Sequence, residues 1–321
     1  MSTLSFIPNR CRVIGSLVAL GSFGAAVYLG KEYRGKRQLD QICRRVPVAA
    51  LPKPSACRNL LETRRETTAA PAWGLETPAV TSSWPGGDNK MHWTPSFAAL
   101  QVEVPLSALA RYGSSHGKDN DEHGGAEGDA FCLMQTFVAG FLDGRRTGAE
   151  AQFLDKNVPP LSFAPGSQLF GDRSGLGAFV LDTWSTARGK CVQPLDLPKD
   201  PPPPVSEFPS NTAVREGGPI DTAGTVMYWR FTGRVSSTMD RLASWGLPWR
   251  MMEGGFQEFI VEKVSDQAVR LTYAMVESAN LHPGGQSRRD FKRMPWLAYE
   301  LHVLYGRILL YKTLRRFLNP S

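Results

Sequence analysis

Apolar and polar positions alternate along residues 267–278, QAVRLTYAMVES. Val269, Leu271, Tyr273 and Met275 fall on one side, and Arg270, Thr272 and Ala274 on the other. That period of two predicts a half-buried strand. The segment before it, residues 255–264 (GFQEFIVEKV), predicts a second strand, and Ser265 with Asp266 centre the turn of a hairpin. Residues 225–231 (TVMYWRF) are rich in aromatic and β-branched side chains, which suit a pleated surface. There Met227, Trp229 and Phe231 face one way, Tyr228 and Arg230 the other. Further strands are expected at 96–104, ahead of Pro105, and at 168–171 and 177–184.

Helical spacing marks the remaining apolar segments. Residues 130–142 (AFCLMQTFVAGFL) predict a strongly apolar helix, with Asp129 as N-cap and Gly144 just past its end. A short helical turn is expected at 105–112, and a second short helix at 148–154, capped by Thr147. The last helix spans 294–318, with Pro295 in its first turn, where proline is tolerated. Leu297, Leu301, Leu304, Ile308 and Tyr311 form one apolar stripe on it. Lys312, Arg315 and Arg316 crowd its C-terminal end and complement the helix dipole.

The order is strand, two helices, several antiparallel strands and a long final helix. With TVMYWRF, the GFQEFIVEKV-SD-QAVRLTYAMVES hairpin and the terminal helix, it resembles the helix-grip arrangement of the START-like superfamily. The resemblance covers about residues 91–321, minus two insertions. It implies an α+β fold, a curved antiparallel sheet gripping the C-terminal helix around an apolar cavity, and a hydrophobic ligand.

Ahead of this region, residues 13–30 (VIGSLVALGSFGAAVYLG) carry no charge. As a helix these 18 residues reach about 27 Å, enough for a hydrocarbon core. A cleaved signal peptide and a mitochondrial targeting segment are the competing readings. The apolar run is longer than a signal core and meets Lys31, Arg34, Lys36 and Arg37 directly, which favours a retained transmembrane anchor. The excess of cations after the span places the large domain in the cytosol, with a mitochondrial membrane, and so the matrix, as second choice. Five cysteines without framework spacing agree with a reducing compartment.

The formal net charge of +7 is uneven. Residues 1–65 hold 12 of the 37 Lys and Arg and 3 of the 30 Asp and Glu, a net +9. Residues 66–321 are left with 25 against 27, a net −2. The basic segment suits anionic lipid headgroups near Lys31, Arg34, Lys36 and Arg37. The near-neutral body argues against nucleic acid, which needs a basic face on the folded part. The expected organisation is an N-terminal tail (1–12), the anchor (13–30), a basic juxtamembrane segment and Pro-rich linker (31–90) and one domain (91–321). A short helix at about 56–66 falls within that linker. Polar, Gly-rich residues 113–129 and Pro-rich residues 188–221 are loop insertions.

No catalytic constellation emerges. The five histidines lack metal-ligand spacing. His116 and His123 enclose Asp119, Asp121 and Glu122, which reads as a solvated acidic loop. His302 reads as an ordinary semi-buried histidine. Gly113-Ser114-Ser115-His116-Gly117 matches a nucleophile elbow in letters but opens a polar loop instead of following a strand. Cys132 reads as core and Cys191 as a surface thiol. No residue set calls for a cofactor or a metal. The remaining signal is aromatic: Trp184, Trp229 and Tyr273 on strands and Tyr299 on the final helix are candidate ligand-binding residues. Arg230 and Glu258 join them as polar partners, because an inward Arg230 needs a carboxylate or an anionic ligand group. Residues 245–249 (WGLPW), with Met251 and Met252, suit a membrane interface or a cavity mouth, or else a turn packed on the core. The function expected is a membrane-anchored binding domain for a hydrophobic small molecule or lipid. The alternatives are an enzyme of the same scaffold (a cyclase or hydrolase using Arg230, Glu258 or Tyr273) and an organelle-membrane scaffold protein.

Overall fold

The computed structural model describes residues 42–59, 61, 93–116, 129–147, 162–164, 167–171, 176–186, 221–231, 238, 241–242, 249–250, 254–280, 292–293 and 295–319. The expected anchor at 13–30, the helix at 148–154 and most of both insertions lie outside them. Among the described residues no helix is long and apolar enough to cross a membrane.

The protein is α+β. Its main sheet is antiparallel throughout and contains, in spatial order, β1 (Arg44–Val46), β2 (Trp93–Pro105), β8 (Ala268–Asn280), β7 (Gly254–Lys263), β5 (Thr222–Phe231), β4 (Leu176–Ser185) and β3 (Gln168–Gly171). A separate parallel pair joins β6 (Trp249–Arg250) to β9 (Lys292–Arg293). Three helices, α1 (Leu106–His116), α2 (Ala130–Arg146) and α3 (Trp296–Leu318), share a core with one face of the sheet, called here the inner face.

The β7–β8 hairpin forms where alternation predicts it, but β8 is not half-buried. Thr272, Ala274 and Val276 are as buried as Leu271 and Tyr273. Along β7 nine of the ten residues are buried. Both faces of the central strands are covered, so the alternation separates two interiors instead of core and solvent.

The second cover is the start of the segment assigned above to linker. Residues 42–59 enter the folded unit: β1 pairs with β2 through Val46 opposite Ala99. Val46, Leu51, Ala56 and Cys57 then pack on Leu181, Trp184, Val226, Ile260, Ala274 and Val276 of the outer face. The proline content signals a flexible connection, but Pro47 and Pro52 here flank a short 3-10 turn (Val48–Ala50). This strap is a chain of turns closed by its own bonds, Ala50 N to Pro47 O, Leu51 N to Val48 O and Ser55 N to Pro52 O, with the prolines supplying acceptors and fixed φ angles.

Glu258 fixes this strap. Its carboxylate is fully buried and accepts four bonds: Oε2 from Ser55 Oγ (2.6 Å) and Cys57 N (2.9 Å), Oε1 from Ala56 N (2.8 Å) and Trp184 Nε1 (2.9 Å). Ser55 Oγ also accepts from Arg58 N at 3.1 Å, which caps the helical turn beginning at residue 56. Trp184 reaches Glu258 because it lies across Gly224, where a Cβ would fall 2.5 Å from the indole ring. Burial raises the Glu258 carboxyl above its ordinary range, and the donated bonds act against that shift.

On the inner side α2 starts as expected, with Asp129 accepting from Phe131 N. It does not stop before Gly144 but runs to Arg146. Gly140 and Gly144 serve close helix packing: a Cβ at Gly140 would meet the Phe317 ring at 2.6 Å, and one at Gly144 would meet Thr313 Oγ1 at 3.4 Å. α1 likewise runs past Tyr112 to His116. Pro295 is the N-cap of α3 and not part of its first turn. The buried face of α3 toward the sheet and α2 is Val303, Leu310, Leu314 and Phe317. Of the expected stripe, Leu304 and Ile308 make a separate cluster with Leu301 and Tyr311, and Leu297 is exposed. The helix is apolar on more than one side, so a single stripe misjudges its rotation.

Glu258→Gln keeps the side-chain shape but aims an NH2 group at N–H donors. It is expected to lower unfolding stability by about 2–4 kcal/mol, read as a fall in the urea midpoint. An unchanged midpoint would remove Glu258 from the strap's attachment. Burial, and after it the Glu258 carboxylate, pushes the Cys57 thiol well up, while burial pushes Cys43 up to about 12. Both thiols are therefore expected to resist iodoacetamide in the native protein at mildly alkaline pH. Peptide mapping should show Cys57 alkylation accelerating in Glu258→Gln.

Candidate functional site

The inner face changes character along its length. Over its middle, Phe137 and Phe141 of α2 stack on Phe259 at 5.3 and 4.9 Å between ring centroids, and Phe141 meets Tyr273 at 4.7 Å. Phe259 and Tyr273 are direct cross-strand neighbours. These rings meet at the separations and tilts that aromatic pairs favour.

Moving along the strands, the next inner row carries Met227, Gln257, Met275 and Ala98, and the row after it Trp229, Gly255, Glu277 and Ser96. Here α2 is no longer the cover. Its C-terminal part lies against Leu309 and Thr313, so the first half of α3 extends beyond it over the sheet. Gly306 brings α3 down onto Met275, Leu100 and Tyr273, the nearest atoms to a Cβ placed there being 3.3–3.6 Å away.

Under that half-helix the lining turns polar. Glu277 is 2% exposed, and its Oε1 lies 2.9 Å from Nε2 of His302 on α3. Gln257 is 8% exposed, and its Oε1 has no hydrogen-bond partner among the described residues. Tyr299, one turn before His302, has its phenol pushed up to about 12 by burial first and then by the Glu277 carboxylate. Beyond it Arg45 of β1 pairs with Glu300 at 2.9 Å, its guanidinium 6.0 Å from the Tyr299 ring centroid. The Glu277–His302 pair, with Gln257 one row away on the neighbouring strand, thus makes one end of the inner face polar. They can orient a polar group by hydrogen bonding, and the carboxylate–imidazole pair can hold or pass a proton.

The residues expected from sequence divide between the two faces. Trp229 and Tyr273 line the inner face, and Tyr299 lies beside the polar end. Glu258 and Trp184 are on the outer face, bonded to each other, with Glu258 bonded to the strap and Trp184 packed in its cluster, and are not brought together with the first group. Arg230 occupies a β5 position opposite Gly254 and Gly177. Its side chain lies outside what the structure describes. Sequence reasoning missed Gln257 and Glu277 and took His302 as incidental. The signal was present: Val269, Leu271, Tyr273 and Met275 set the inner period, and the next member of that series is Glu277. An acid on an apolar face calls for a partner.

Among the described residues no group of His, Cys, Asp and Glu has the arrangement of a metal site.

His302→Ala removes that partner from a carboxylate shut away from water. It should cost about 1–3 kcal/mol in unfolding stability, with Glu277→Gln costing less because its amide still reaches the imidazole. A double-mutant cycle on the two positions is expected to return a coupling of about 1 kcal/mol; strict additivity would dissolve the pair.

Comparison with protein-family models, with curated proteins and with solved structures finds no match for this chain.

Proposed function

We propose that the protein is a membrane-anchored binding domain that takes a hydrophobic small molecule or lipid between its inner sheet face and α3. In this reading the sheet grips α3 in the START-like manner and residues 13–30 form a transmembrane anchor. The domain faces the cytosol, or the matrix if the membrane is mitochondrial. The observation that carries it is the buried Gln257 amide oxygen without a partner among the described residues, one row from the Glu277–His302 pair on a largely apolar face. A native interior rarely leaves such an oxygen unmatched, and a ligand donor supplies the missing bond. Met227, Trp229 and Met275 offer apolar contact around it, with the adaptable thioethers suited to a ligand of irregular outline. Glu258 and Trp184 have no part in this site. A catalytic version of it would draw on Glu277 and His302, because Glu258 and Tyr273 stand on opposite faces of the sheet.

The test is the ligand itself. The full chain is purified in detergent and extracted with chloroform and methanol, and the molar ratio of each extracted species to protein is compared with that from Gln257→Leu. One species near stoichiometry in the wild type, reduced about tenfold in the variant, is the expected result, equivalent to about 1.4 kcal/mol of lost hydrogen bonding. Identical extracts from the two proteins would sink the proposal.

A further inference from the structure

The first turn of α3 carries two large apolar side chains in water. Trp296 is 74% exposed and Leu297 is 64% exposed, and Trp249 on β6 is 42% exposed. These three are not scattered. Trp249 pairs in register with Lys292, and Arg250 with Arg293, in the parallel β6–β9 ladder. Arg293 is three residues from Trp296, so the ladder and the helix start lie within about 11 Å of chain. Single exposed apolar residues are ordinary, but two tryptophans and a leucine within a few residues of one ladder are not.

The ladder beside them is basic: besides Trp249, its paired positions are Arg250, Lys292 and Arg293. The first turn of α3 holds no acidic residue. Tryptophan next to lysine and arginine is the composition of a membrane–water interface: the indole sits at headgroup depth and the cations meet anionic lipid. A protein partner would ask for a groove or a larger continuous apolar face. We infer that the β6–β9 ladder and the first turn of α3 form a docking surface for an anionic lipid bilayer, with Trp249, Trp296 and Leu297 entering the headgroup layer. The surface is distinct from the basic stretch that follows residue 30. It adjoins the half of α3 that covers Glu277 and His302, so docking would present that end of the domain to the bilayer. The inference stands whether or not a ligand binds beneath.

The full chain is reconstituted into vesicles of phosphatidylcholine alone and into vesicles containing phosphatidylglycerol as well, and amide hydrogen exchange is followed by mass spectrometry. The opening N–H groups of a helix have few intrahelical partners and report directly on what covers them. Peptides covering 249–250 and 292–299 are expected to exchange about tenfold more slowly in the anionic vesicles than in the neutral ones. Lys292→Glu with Arg293→Glu, and separately Trp296→Ser with Leu297→Ser, should each remove the difference. Unchanged exchange along β7 in both variants would show that the fold is intact. Equal exchange in the two vesicle types would overturn the inference. So would protection that depends on protein concentration and not on lipid, which would assign the surface to a second copy of the chain.

Discussion

One buried carboxylate fixes the outer cover of this sheet. Glu258 stands mid-strand in β7 with sheet on either side, strap above and helices below. Placing a carboxylate there without partners would be prohibitive, and among the described residues no cation pairs with it. Four donors from two distant stretches of chain converge on it instead. Two of those donors are the opening backbone N–H groups of the strap's helical turn, whose positive dipole end faces the charge. The arrangement makes the strap a specific fixture: an apolar segment alone would leave its position along the sheet open to sliding.

With the strap covering the middle of the outer face, the inner face varies in polarity along its length. Its middle is an aromatic block between α2 and the β7–β8 hairpin. Its end, beneath the first half of α3, holds Gln257, Glu277 and His302. The two acids of the sheet show the contrast. Glu258 has every acceptor position answered from within the chain. Glu277 meets a half-buried histidine at the rim, and Gln257, one row away, has an amide oxygen with no partner among the described residues. Satisfied polar groups hold a fold together, whereas incompletely satisfied ones at the edge of an apolar lining are where binding energy is available.

The hairpin, the capped start of α2 and the terminal helix were legible because each rests on local chemistry: a period of two, an aspartate N-cap, a run of apolar residues broken by proline at its start. What local pattern hid was tertiary. Nothing in Ser55-Ala56-Cys57 announces a partner some two hundred residues later, and Pro47, Pro52 and Pro54 read as linker because proline content is blind to what the segment packs against. Gly144 read as a helix stop because glycine at a C-terminus and glycine at a helix crossing leave the same letter. Leu297 read as core because the stripe it begins is real, while the end of the helix overhangs the sheet. Glu258 entered the sequence reading as a carboxylate that could answer an inward Arg230 on the neighbouring strand, and its strap partners at Ser55, Ala56 and Cys57 lie too far away in sequence for local pattern to reveal.

The strap's bond to Glu258 joins residues 203 positions apart. A chain made from its N-terminus exposes Ser55 long before Glu258 exists. At about 5–20 residues per second, roughly 10–40 s separate the two. Trp184, the other donor, appears on the way and must wait as well. Throughout that interval the apolar side of the strap has no sheet to cover, and the first strand it pairs with, β2, has no β8 beside it. Synthesis therefore passes through an obligatory period in which the segment next to residues 13–30 is unsheltered, and the order of assembly runs backward along the chain, with the last strands closing over the first.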